Sequence, residues 1–135
     1  MPWSSCCDVQ LAFAFERFKQ QNIDDQHKLI IVGAELFGDT LDGVEISSFI
    51  RKHIVFTGHI SLSVLAEIMG AASLFTYVPY FEGFEIPLVE AMKCGTPILS
   101  GNLTSLPEVA GDSAIYCDPY SVDDITEKMT MIAHN

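Results

Sequence analysis

Residues 74–92 read Leu-Phe-Thr-Tyr-Val-Pro-Tyr-Phe-Glu-Gly-Phe-Glu-Ile-Pro-Leu-Val-Glu-Ala-Met. The first five residues form a short apolar run, rich in aromatic and β-branched side chains, which is typical of a buried strand. The chain then turns through Gly83 and enters an apolar segment. Pro87 suits the first position of a helix, where its missing N–H costs nothing, and Gly95 suits the position just after that helix. This stretch therefore predicts a strand, a turn and a helix in succession.

The same alternation extends in both directions along the chain. Further short apolar runs predict strands at residues 29–32, 54–56, 97–99 and 114–116. Helical spacing of apolar residues predicts helices around residues 11–18, 64–69 and 122–132, with Ser61 and Ser121 as N-caps and Asp124 at capping-box spacing from Ser121. Strands that alternate with helices indicate a doubly wound, Rossmann-like α/β domain with a parallel sheet.

Ligands of open α/β sheets bind outside the carboxyl ends of the strands. The helix predicted after Gly83 would present the unpaired N–H groups of Phe84, Glu85, Ile86 and Leu88 at that edge, which makes an anion site. Glu82 lies in the turn, and Glu90 lies eight positions later, inside the helix. Carboxylates accept hydrogen bonds from sugar hydroxyls, so the arrangement fits a nucleotide-sugar. From spacing alone, two merely solvated acids fit as well.

Composition sets limits on the class of protein. The 135 residues, 49% hydrophobic and 19% charged, suffice for one domain over residues 1–135. The formal net charge of −11 argues against nucleic-acid binding and against docking on anionic lipid. We find no signal peptide, and the four cysteines lack paired spacing, so we expect reduced thiols and a cytoplasmic location. Scattered histidines predict no metal site.

An ordered series of motifs resembles the C-terminal, donor-binding domain of the retaining GT-B glycosyltransferases of family 4. A lone E-x7-E pair is a weak signal, whereas the series in order, over more than 100 residues, is a strong one. Its members are Val55–Gly58, Leu65–Ala72, Glu82–Glu90, Ser105–Asp112 and Tyr116–Pro119.

The resemblance implies a role for each matching position. Glu82 would contact the transferred hexose as the catalytic residue, and Glu90 would accept hydrogen bonds from the ribose. The backbone of Gly83, Phe84, Glu85 and Ile86 would bind the sugar and the diphosphate, and Gly58–His59 would lie near the base. The substrates would be a UDP- or GDP-sugar and a sugar or glycoconjugate acceptor, with retention of configuration and with neither a metal nor a cofactor.

The sequence departs from the family pattern in three ways. Glu85 stands where the second glycine of E-G-F-G is usual. We find no first strand, which would be central in the sheet, so the strand at 29–32 is left without its inner partner or lies against the strand at 74–78. The acceptor-binding domain is absent. We therefore expect a fragment, a truncated gene product, or one half of a two-chain enzyme whose partner chain carries the acceptor domain. We expect little or no activity of the chain alone, and an exposed sheet edge that favours a homodimer.

Three other functions stay open. The runner-up is a non-catalytic GT-B-like module that binds nucleotide-sugars or other proteins. The truncation and Glu85 favour this alternative. Residues 71–135 hold nine acidic residues and two lysines, and their net charge of −7 repels a diphosphate unless the helix N-terminus or a missing basic pair compensates. A nucleotide-sugar epimerase would need further His and Arg residues. A generic flavodoxin-type domain does not explain the run from Glu82 to Pro119.

Overall fold

The computed structural model describes residues 5–32, 40–41, 44–78, 86–103 and 106–134. Within these ranges the helices are α1 (Ser5–Gln21), α2 (Ser48–Arg51), α3 (Leu62–Ala71), α4 (Ile86–Cys94), α5 (Leu106–Ala110) and α6 (Val122–Ala133), with a 3-10 turn at Gly111–Ser113. The strands are β1 (Leu29–Ile31), β2 (Thr40–Leu41), β3 (Val44–Glu45), β4 (Ile54–Phe56), β5 (Phe75–Tyr77), β6 (Ile98–Gly101) and β7 (Ala114–Cys117). The five predicted strands are confirmed, each to within two residues at either end.

The parallel strands form two separately hydrogen-bonded groups. β1 pairs with β4, with Ile30 opposite Val55. β6 lies between β5 and β7 and is parallel to both. No described strand pairs with the remaining edge of β1 or of β5. The sequence left two arrangements for β1: no inner partner, or pairing with the strand at 74–78. Among the described strands, β1 has no inner partner.

Both faces of the β5–β7 sheet are covered, as expected for strands with apolar residues on both sides. Leu99 packs into a core with α1 and α6, which also receives Ile31 and Ile54 from the other strand pair. The preceding residue, Ile98, packs on the opposite face against residues of α3, α4 and α5. Successive strand residues point to opposite faces, so β6 anchors both cores. The doubly wound α/β architecture is confirmed.

The helix ends follow the predicted chemistry with one exception. Ser61 accepts a hydrogen bond from the Val64 N–H and caps α3. Ser121 caps α6 by accepting from the Asp124 N–H. The return bond of a capping box is missing, because the Ser121 N–H donates to the Asp118 carbonyl instead. None of the described helices is long and apolar enough to cross a membrane.

Candidate functional site

Because the strands within each of the two parallel groups run in the same direction, their carboxyl ends define one edge for each group. Gly58 and His59 follow β4, Asn102 follows β6 and Asp118 follows β7. α4 begins after β5 and returns through a three-residue connection to the start of β6. Its first turn therefore lies toward the carboxyl edge of the β5–β7 sheet, where ligands of this fold class bind.

The position of α4 is fixed by its buried face. Leu88 and Ala91 are completely buried in the core formed with α3 and α5, whereas Val89 is exposed. At its other end, the N–H groups of Gly95 and Thr96 donate to the carbonyls of Met92 and Ala91. This is the Schellman pattern, with Gly95 in the left-handed region at φ +72°. The predicted C-terminal glycine is confirmed.

Glu90 lies one turn inside α4. Its side chain is 37% exposed, and one carboxylate oxygen is 3.7 Å from the Nζ of Lys93, which is 69% exposed. The two residues form an i, i+3 ion pair. A pair this exposed contributes little to stability, so Glu90 keeps its capacity to accept hydrogen bonds from a ligand.

Gly58 has a conformation that favours glycine. Its φ of +63° lies in the left-handed region, where a Cβ is sterically costly. The preceding residue holds the turn in place: the Thr57 N–H donates to the Ile31 carbonyl at 3.2 Å, and its Oγ1 donates to the Gly58 carbonyl at 2.9 Å. The His59 side chain is exposed. The sequence pattern did not single out Thr57, although this residue lies within the family motif at Val55–Gly58.

The carboxyl ends of β5 and β6 approach each other closely. A Cβ added at Gly101 would lie 3.5 Å from the Val78 Cα and 3.5 Å from the Pro119 Cγ. Ser100 is fully buried, and its Oγ donates to the Gly101 carbonyl. Asn102 is exposed, and its backbone N–H donates to the Cys117 carbonyl at 3.0 Å. These contacts hold the backbone on which the exposed Asn102 side chain is placed.

Four predicted site residues, Glu82, Gly83, Phe84 and Glu85, lie outside the described residues, as does the side chain of Ile86. Of the predicted site, the structure thus describes Gly58, His59 and Glu90. No hydrogen bond or ion pair between described residues joins Glu90 to Gly58 or His59. The geometry of the E-x7-E pair itself stays a prediction.

Local contacts near the end of β7 shift the pKa values of Asp124 and Cys117. The backbone N–H of Asp118, and then Lys128, lower the pKa of Asp124. Burial, and then the charge of Asp124, raise the pKa of Cys117 to about 12, so this thiol is not an activated nucleophile. Within the described ranges, no group of three or more His, Cys, Asp or Glu side chains is placed to hold a metal ion.

Residues 9–135 match the sequence model of the family Glycosyl transferases group 1. The chain belongs to this family. The expected resemblance to a C-terminal GT-B domain is confirmed. The match begins within α1 and continues through the two strand groups and α6.

Two curated relatives are named as mannosyltransferases. The O-antigen chain mannosyltransferase B of Escherichia coli is 42% identical over 73 residues, which cover 54% of this chain and 19% of that protein. The serotype-specific mannosyltransferase WbdA of Escherichia coli is 38% identical over 79 residues, 58% of this chain and 10% of that protein. The chain thus matches about a fifth or less of these two relatives.

Solved glycosyltransferases share the fold. Sucrose-phosphate synthase from Thermosynechococcus elongatus superposes with a TM-score of 0.73 at 20% identity, over 98% of this chain and 33% of that one. WaaG, a glycosyltransferase of lipopolysaccharide biosynthesis, gives a TM-score of 0.59 at 17% identity, over 90% of this chain and 42% of its own. At these identities the likeness concerns the fold, half of a GT-B architecture.

Proposed function

We propose that this chain is the donor-binding half of a retaining hexosyltransferase that uses a nucleotide-diphospho-sugar. The observation that carries the proposal is the placement of Glu90. Its helix is locked by the buried Leu88 and Ala91 and begins toward the carboxyl edge of the sheet, and Glu90 closes an E-x7-E motif in a chain of the glycosyltransferase group 1 family.

In the proposed reaction the protein positions the donor and stabilises the departing charge. Glu82 holds the hexose, the backbone of residues 83–86 binds the diphosphate, and Glu90 accepts from the ribose hydroxyls. The acceptor oxygen attacks the anomeric carbon on the face from which the diphosphate leaves. The anomeric carbon–diphosphate oxygen bond breaks, and the acceptor proton passes to a diphosphate oxygen, so configuration is retained.

The proposal assigns the acceptor to another domain. In the GT-B arrangement the reaction takes place between two domains, and the described helices and strands form one of them. We expect catalysis when an acceptor-binding domain is present, on a partner chain or on further residues of a longer protein, and no turnover without it. A cytoplasmic location belongs to the same proposal, because cysteines without paired spacing are typical of a reducing compartment.

Mannose is the transferred sugar that we propose to test first. Both Escherichia coli relatives are named as mannosyltransferases, and their matches cover more than half of this chain. The nucleotide is a uridine or guanosine diphosphate in this proposal, as the resemblance to the GT-B family implies. Glu90 would contact the ribose, which both nucleotides share.

A non-catalytic binding module is the second candidate. Glu85 favours it, because a carboxylate at the second glycine of E-G-F-G would repel a donor diphosphate unless its side chain points away. Such a module would bind nucleotide-sugars weakly or not at all, and it would give no turnover with any acceptor domain.

Calorimetric titration with GDP-mannose and UDP-glucose tests the proposal. We expect saturable binding of at least one donor and a loss of at least about tenfold in affinity for Glu90→Ala, since a charged hydrogen-bond acceptor is removed. Glu108→Ala is the matched control: it removes an exposed acid on α5 and should leave affinity unchanged. Absence of binding to both donors, or equal losses in the two variants, would contradict the proposed site.

A further inference from the structure

The few basic residues of this acidic chain are unevenly placed. Ion pairs between described residues join Arg17 with Asp123, Lys19 with Asp25, Lys93 with Glu90 and Lys128 with Asp124. Lys28 and Lys52 come together at the amino ends of β1 and β4. These two residues and His53 are called the basic edge below.

A backbone hydrogen bond joins the two chain segments that carry the basic edge. The Leu29 N–H donates to the His53 carbonyl at 3.0 Å, and Leu29 is opposite Ile54 in the parallel pair. Lys28 therefore enters β1 beside the point where Lys52 and His53 enter β4. Neighbouring strands are about 4.8 Å apart, so the two lysines extend from adjacent backbones.

Lys52 and His53 of the basic edge both contact the ring of Phe49. The Lys52 Nζ lies 5.7 Å from the centre of the Phe49 ring, and the His53 ring meets Phe49 edge-on at 5.6 Å. Desolvation, and then the charges of Lys19, Lys52 and Lys28, lower the pKa of His53 below its ordinary value. The imidazole thus experiences the positive potential of three lysines at once.

The described carboxylates nearest to the basic edge have other partners. Asp25 already binds His27 through its side chain at 2.9 Å and lies 3.5 Å from the Lys19 Nζ. Glu16 accepts from the Ser47 hydroxyl at 2.6 Å. Within the described parts of the chain, no carboxylate lies within ion-pair distance of Lys28 or Lys52, and both side chains are exposed.

We propose that the basic edge is a docking surface for an acidic segment of a partner protein. The net charge of −11 opposes approach to an extended anionic surface such as a membrane or a nucleic acid. A short acidic segment instead meets the local cations within a Debye length of about 8 Å. The Phe49 ring beneath Lys52 adds aromatic surface, which is enriched at protein interfaces, to these exposed charges.

The basic edge lies at the amino ends of its strands, whereas the proposed donor site lies toward the carboxyl ends. An occupied basic edge would therefore leave the path of a nucleotide-sugar open. The proposal does not depend on the chain's binding a donor, and it would hold equally for a non-catalytic module.

Fluorescence anisotropy with a labelled decaglutamate peptide as the probe tests the docking surface. At low salt we expect saturable binding that weakens as salt rises. The double variant Lys28→Gln/Lys52→Gln should bind at least fivefold more weakly. The control Arg17→Gln/Lys128→Gln removes the same net charge from α1 and α6 and should stay within twofold of the unmodified chain. Circular dichroism verifies that each variant is folded.

Two further probes separate the sources of negative charge. Phosphatidylserine vesicles and inorganic pyrophosphate are tested with the same variants. A peptide that does not bind overturns the proposal, as do equal losses in the two double variants. Binding of vesicles or pyrophosphate that is tighter than peptide binding and depends on Lys28 and Lys52 overturns the choice of an acidic protein segment.

Discussion

An Asp124 carboxylate oxygen accepts a hydrogen bond from the backbone N–H of Asp118 at 2.7 Å. The bond links the first turn of α6 to the end of β7, and the other carboxylate oxygen is 2.9 Å from the Lys128 Nζ. Asp124 therefore does more than occupy a favourable position at a helix N-terminus, because it joins two consecutive elements.

Asp124→Ala should lower the free energy of unfolding by about 1 kcal/mol at neutral pH, since a backbone donor loses its charged acceptor. The Asp118 N–H and Lys128 lower the pKa of Asp124 in the folded chain. The stabilisation is thus full above the ordinary pKa of 3.8 and is lost as the pH falls through the lowered value. Urea unfolding from neutral pH down to about pH 2.5 measures the difference. Glu127→Ala, an exposed acid of α6, should show no such pH-dependent difference.

Two glycines should respond oppositely to alanine. Gly95 has φ +72°, and open space surrounds the position that a Cβ would take, so Gly95→Ala should destabilise the chain by about 1 kcal/mol through backbone strain alone. Gly70 lies inside α3 and also has open space. Gly70→Ala should stabilise the chain by roughly 0.5–1 kcal/mol through helix propensity. Thermal unfolding of both variants measures this, and a shift of the same sign in the two would contradict the assigned cap.

Most of the architecture could be predicted because its elements carry strong apolar periodicity. β6 and α6 are examples, with Leu99 and Ile125 fully buried. The hairpin of β2 and β3 was not predicted, because strands of two residues have no period to detect. Leu41 is nevertheless completely buried against the α1 core. Its burial depends on tertiary contacts that a polar, glycine-containing stretch does not reveal.

The candidate site was predictable where a residue acts within one element. Gly95 after α4 follows from helical geometry, and this prediction is confirmed. The pair of Glu90 with Lys93 follows from the same geometry. The half-formed capping box was not foreseeable, since the Ser121 N–H has a competing acceptor in Asp118. Spacing cannot decide between two acceptors that only the folded turn brings within reach.

If Glu90 binds the ribose, Lys93 should act by orienting its carboxylate. Lys93→Met should weaken binding of a ribonucleoside diphosphate by up to about fivefold, in keeping with the small coupling of exposed ion pairs. The variant and the unmodified chain should bind the 2′,3′-dideoxy analogue equally, because the hydroxyls that Glu90 would contact are gone. Calorimetry measures both ligands, and Lys93→Arg should restore the affinity. A loss of the same size with the dideoxy analogue would argue against this role.

Cys117 should resist alkylation in the folded chain. Its side chain is buried, and its pKa is raised to about 12, so little thiolate exists at pH 8. Cys94 is partly exposed and should react with iodoacetamide faster. Mass spectrometry of peptides after timed labelling distinguishes the two sites, with unfolded chain as the reference in which both react. Equal rates in the folded chain would contradict the burial of Cys117.

All four residues of β6 are buried, and β6 has a strand on each side. Its amide hydrogens are therefore shielded from both directions, while those of β1 and β5 have a bonded neighbour on one side among the described strands. Local opening that reaches β6 has to disrupt both cores at once. Deuterium uptake along this chain should consequently be slowest at Ile98–Gly101, which would make this short segment the last to lose its native order.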